Sequence, residues 1–155
     1  MSQGTFFDLS KHFIVTSVIA FFLWLKYRDF RLVIITYFMG VLIDIDHLFD
    51  YFFYVSSFAY RAGWHFNLSE FLNPSVYVKP TGKVFVLLHG WEYLPILWFI
   101  AKKLKRKIPG IFLALFFPYF CHLLIDQSPF VRATFAYFFF NRLINNFNLN
   151  AFNGH

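Results

Sequence analysis

The chain places its few ionisable side chains in apolar surroundings, and it places them in groups. His122 and Asp126 stand four residues apart, and His89 and Glu92 three apart, so on a helix each pair shares one face. The stretch Gly40 to Tyr51 reads Gly-Val-Leu-Ile-Asp-Ile-Asp-His-Leu-Phe-Asp-Tyr, which puts Asp44, Asp46, His47 and Asp50 at the end of a hydrophobic run. A charge in hydrocarbon or in a protein core is costly unless compensated, and a bound cation compensates acids mixed with imidazoles economically. Together with His12, the candidate metal ligands are His12, Asp44, Asp46, His47, His89, Glu92, His122 and Asp126. Such a set suits a divalent metal, zinc foremost, as one or two ions, with manganese or iron as alternatives. The chemistry would be a metal-activated water, with Glu92, Asp126 or Asp46 as general base or as the group that orients a ligand histidine. On an ideal helix Asp46 lies about 200° round from Asp44, so both point inward only if the backbone opens near Gly40 or the helix ends early. Asp44 therefore takes precedence over Asp46, and Asp50 is expected to face the headgroup region.

The elements that must position these residues are long apolar runs separated by basic turns. Helices are expected at about 8–26, 31–54, 84–104 and 108–126, the last with a first-turn Pro109 and an internal Pro118. Phe130 to Phe147 reads as an interfacial helix or a fifth span, because Arg132, Asn141, Arg142, Asn145 and Asn146 interrupt its Phe-rich run. Residues 56–82 form the one long connection, rich in Asn, Ser, Gly and Pro among aromatics, with a short interfacial helix expected at Leu68 to Leu72. From each basic turn to the first histidine or aspartate inside the adjoining helix the count is 14 (His12 to Lys26), 13 (Arg31 to Asp44), 13 (His89 to Lys102) and 15 (Lys107 to His122). At the α-helical rise these counts put all four residues about 20 Å from the basic edge, in one layer of an antiparallel bundle.

Composition sets the environment. Of 155 residues 59% are hydrophobic and only 14% charged, and Phe alone contributes 26, the profile of a single membrane domain with an all-α, multi-pass helical bundle. The net charge of +6 is no nucleic-acid signal, because eight of the fourteen basic residues fall in two short turns. Such turns belong on the cytoplasmic face of the cell membrane, which places the amino terminus, the long connection and the opening of the site on the extracytoplasmic side. The first run looks like a retained span rather than a cleaved signal, and the single Cys121 excludes an intrachain disulfide. Membrane lipid is the expected partner and a candidate substrate.

The order of these motifs resembles the small prokaryotic membrane-bound metal-dependent hydrolases, a family similar to zinc-dependent phospholipase C in its polar residues. Its pattern has a histidine in the first helix, a Pro-Asp-x-Asp-His segment, a later histidine motif and a final His-x-x-x-Asp. Here these correspond to His12, to Asp44, Asp46 and His47, to His89-Gly90-Trp91-Glu92, and to His122 with Asp126. Ile43 stands where that pattern has proline, and the histidine motif is shorter than in larger members. The resemblance implies metal binding and hydrolysis of a phosphoester or related ester in a lipid-like substrate. The residues alone also accommodate a di-iron oxidase-like enzyme, a metal or proton transporter, or a binding module.

Overall fold

In the computed structural model residues 3–59, 66–128 and 135–150 are described, and all their regular structure is helical apart from one isolated bridge between Lys83 and Asn148. Arg132, His155 and the parts of the long connection and last segment at 60–65 and 129–134 lie outside the described residues. Helix α1 (Gln3–Tyr27) ends in a two-residue turn where Arg28 takes a positive φ of 53°. Asp29 then caps α2 (Phe30–Gly40): its carboxylate accepts the Arg31 N–H at 3.0 Å and grips the Arg31 guanidinium at 2.7 Å. The guanidinium and this N–H hold the exposed Asp29 carboxyl below its ordinary value.

The second apolar run, expected as one helix over 31–54, breaks at Gly40. Here α2 comes so close to α1 and to the fourth long helix that a Cβ on Gly40 would overlap Thr16 Oγ1 and press on Pro118 Cβ. Beyond Gly40 the chain makes a tight 3-10 turn, Leu42–Asp46, and resumes as α3 (His47–Tyr54), with a 49° bend between the two halves. A 3-10 turn advances each residue by about 120° instead of 100°, which changes which side chains share a face. The long connection carries α4 (Leu68–Phe71), capped by Asn67, and α5 (Ser75–Thr81), which packs on α3.

The third run departs most from expectation. Residues 84–92 are not helical, and α6 spans only Tyr93–Leu104. Gly82 at a φ of 62° terminates α5, and the Val84-Phe85-Val86 stretch that follows, with two β-branched valines, has its backbone donors captured from elsewhere: Asp50 accepts the Phe85 N–H at 2.6 Å and the Val86 N–H at 3.2 Å. Helix α7 (Ile111–Gln127) runs through Pro118, and α8 (Phe139–Ile144) is six residues long, too short to span. Helices α1, α2 and α7 pack against one another, with α6 on α7.

Two apolar cores flank the polar layer. Leu23, Leu32, Ala101, Ile111 and Ala114 fill the bundle beside the basic turns, while Ile43, Val84, Val86, Tyr119, Leu123 and Tyr137 surround the 84–92 segment. Large apolar side chains such as Phe13, Phe22, Phe30, Ile34, Phe99 and Phe117 are exposed on the outside. Among the described residues α1 from Leu9 to Tyr27 is long and apolar enough to cross a membrane, and the bent pair Phe30–Gly40 with Leu42–Ser57 passes only when taken together.

Candidate metal centre

Three helices, the 3-10 turn and one loop deliver the ionisable side chains to one place. The Nε2 atoms of His89 and His122 lie 2.9 Å apart. Asp44 Oδ1 is 3.1 Å from the first and 3.3 Å from the second. Asp126 Oδ2 is 3.2 Å from the first and 3.1 Å from the second. An ion with bonds of about 2.0–2.1 Å in tetrahedral geometry has ligand atoms about 3.3 Å apart, since the edge of a tetrahedron is about 1.6 times the centre-to-corner distance. The five separations, 2.9–3.3 Å, are close to that spacing, and Asp44, His89, His122 and Asp126 form a group that could hold a metal ion.

The protonation pattern leads to the same conclusion. His122 Nδ1 lies 3.1 Å from the Gly40 carbonyl, an acceptor only, so this nitrogen carries the proton. His89 Nδ1 lies 3.0 Å from Asp46 Oδ2, which also accepts the Leu88 N–H at 2.6 Å. With both Nδ1 positions protonated, neutral imidazoles turn two Nε2 lone pairs and two carboxylate oxygens toward one point. Four acceptors facing one another require a cation among them, either a metal ion or extra protons on the imidazoles.

Each sequence-derived candidate has a definite place. Asp44, His89, His122 and Asp126 meet directly. His12 stands one step behind: its Nε2 is 3.0 Å from Asp126 Oδ1 and its ring lies 4.1 Å from that of His122, which orients both. Asp46 is buried with its carboxylate on His89, the arrangement that fixes a ligand histidine's tautomer. Asp46, His47 and His89 form a second, smaller group that could hold an ion, and Asp46 Oδ1 and His47 Nδ1 are buried there without a hydrogen-bond partner.

Two expectations are corrected. Glu92 joins neither group. Because the chain is not helical at His89, the three-residue spacing no longer puts the two on one face, and the Glu92 carboxylate instead accepts the Phe139 and Phe140 N–H groups at 3.1 Å, capping α8. Asp50 does not face the headgroup region: it is 2% exposed and holds the backbone of Phe85 and Val86.

That backbone is the part of the site the sequence hid. An irregular segment in a core must find partners for its N–H and C=O groups, and here buried side chains supply many of them. Arg142 Nη2 donates to the carbonyls of Val86 at 3.0 Å and His89 at 2.6 Å, and its Nη1 to Ala136 at 3.1 Å. The Tyr119 hydroxyl sits 2.8 Å from Leu88 O and 2.7 Å from Gly90 O, and the Tyr93 hydroxyl donates to Leu87 O at 2.9 Å. Burial pulls the Arg142 guanidinium below its ordinary value, opposed by Tyr137, Asp46 and Glu92, and it stays charged. Val86, a β-branched residue at a φ of 32°, carries strain of about 1–3 kcal/mol, held by Asp50 on its N–H and Arg142 on its C=O. One sequence signal could have found Arg142: with Arg132 it is one of two arginines in a run of phenylalanines.

No known protein family, no curated protein and no solved structure matches the chain. The reading of the site rests on its own geometry.

Proposed function

We propose that this protein is a multi-pass membrane hydrolase that uses a divalent metal, zinc foremost, to cleave a phosphoester or related ester in a lipid-like substrate. The observation that carries the proposal is the cluster of two imidazole nitrogens and two carboxylate oxygens, five of whose separations are 2.9–3.3 Å. Nitrogen and oxygen donors in this geometry suit zinc, with manganese and iron as alternatives. When bound, the metal supplies Lewis acidity and an acidified water. The protein's own residues do the rest. Asp46 and Gly40 fix the two ligand imidazoles, and His12 steadies Asp126.

Asp44 and Asp126 border a cavity that His89 and His122 do not reach, so the imidazoles close the rear of the centre and the carboxylates face the approach of a substrate. The exposed apolar belt supports a multi-pass placement in the cell membrane, with the basic turns cytoplasmic and the site toward the extracytoplasmic side. The packed core between the centre and the basic turns favours an enzyme over a transporter, because it leaves no polar route in that direction.

The test is metal content by plasma mass spectrometry of detergent-purified protein, wild type beside the double variant His89→Ala, His122→Ala, followed by a screen of lipid phosphoesters. One equivalent of zinc in the wild type, absent from the variant, with turnover of at least one phosphoester only in the metal-loaded wild type, is the expected result. Metal-free wild type, or a loaded protein inert to every phosphoester and ester tried, overturns it.

A further inference from the structure

A cavity of about 830 Å³ lies against the carboxylate side of the centre. Asp44, Asp126, His12 and His47 stand along it, and most of the rest of the lining is apolar, including Leu42, Ile45, Leu72 and Val78. Its far wall belongs to α4 and α5, so the long connection is folded into a cover over the metal centre. Volumes of about 300–1,000 Å³ enclose most of a single small ligand. An occupant of this cavity has to meet two demands. It must present oxygen to a cation beside Asp44 and Asp126, and it must be hydrocarbon along most of the remainder.

We infer that the cavity seats one long alkyl chain of the substrate, with the phosphoester at the carboxylate end, so that the substrate class is a chain-bearing phosphoester amphiphile held with its tail inside the protein. The inference rests on the hydrolase reading for the chemistry at the head and on the cavity alone for the tail. A tail in the cavity makes affinity depend on chain length for probes monomeric in water, by about fourfold per methylene until the space is filled. Filling the space from the wall shortens the chain at which affinity levels off. It leaves the head group's contribution untouched.

The experiment uses the full chain in lipid nanodiscs and non-hydrolysable n-alkylphosphonates of four, six and eight carbons, titrated calorimetrically below their aggregation limits, with empty nanodiscs as blank. Wild type is compared with Val78→Trp and, as a second filling variant should the first fold poorly, Leu72→Trp, each admitted on unchanged metal stoichiometry. The expected result is a rise of roughly 10–20-fold for each two carbons in wild type, a plateau at shorter chains in the filled variants, and an equal loss at all lengths on removing metal. A chain-length slope identical in wild type and filled variants, or no slope beyond the blank, overturns the inference. Failure of the hydrolase reading looks different: the slope and its response to Val78→Trp persist while the loaded protein turns over no ester.

Discussion

Replacing Asp46 separates a residue that orients a ligand from one that is a ligand. Its Oδ2 accepts His89 Nδ1–H at 3.0 Å and the Leu88 N–H at 2.6 Å, while its Oδ1 is buried without a partner. Asp46→Ala frees the His89 ring to turn and removes the carboxylate that raises its basicity. Losses of this kind cost about 10–100-fold in metal affinity, or about 1.4–2.7 kcal/mol. The Leu88 N–H loses its acceptor as well, for about 1–3 kcal/mol of folding stability. Asp46→Asn behaves differently, because an amide oxygen at the Oδ2 position accepts both N–H groups. Its affinity falls by about tenfold or less, but the amide nitrogen lands in the unpartnered Oδ1 position and folding stability falls as in the alanine variant. The assay is a competitive chelator titration of purified protein with zinc, alongside thermal unfolding without metal. Wild-type affinity in Asp46→Ala would refute the orienting role. Loss of stoichiometric binding equal to that of His89→Ala would make Asp46 a ligand itself, with the ion displaced toward the group it forms with His47.

Three further outcomes follow from the same geometry. Without metal, the 2.9 Å contact between the two Nε2 atoms requires a proton on one of the two imidazoles, so uptake of a metal ion releases about one proton and affinity rises with pH; a pH-indicator titration showing no release contradicts this. Gly40→Ala drives a methyl into Thr16 Oγ1 and should cost about 1–3 kcal/mol in unfolding free energy, part of it recovered by adding Thr16→Ala; an unchanged midpoint would show that α2 can shift freely. Arg142→Lys keeps the charge but cannot span the carbonyls of Val86, His89 and Ala136, so stability should fall by about 1.5–3 kcal/mol and zinc affinity with it, measured by denaturant titration and chelator competition.

What the sequence revealed and what it hid divide along the type of backbone. His122 and Asp126 were legible as a pair because α7 is continuous and a four-residue spacing has one meaning on a helix. The angle between Asp44 and Asp46 showed only that both could point inward if the backbone opened near Gly40 or the helix ended early; the run still read as one helix, and the 3-10 turn was not legible. The 84–92 segment was not legible. Its hydropathy is that of a buried helix, and its irregular course is held by Asp50, Tyr119 and Arg142, which are distant in the chain and reach it only in the folded state. Misplacing that segment also misassigned Glu92, whose apparent partnership with His89 presumed a helix. The all-helical class followed from composition and run length, which do not depend on such distant partners.

The dependence of His89 on Arg142 has a consequence for how the protein is made. The two residues are 53 positions apart, and Arg142 follows every long helix in the chain. At about 5–20 residues per second, translation takes roughly 1–3 s to pass from Gln127, the end of the last long helix, to Arg142, an interval in which the long helices are complete while the His89 loop lacks its clamp. A ribosome-bound or prematurely terminated chain ending before Arg142 would carry all four ligand side chains and still be unable to order them. Ordering of the four-residue group is therefore a late event in biogenesis, set by the arrival of one arginine.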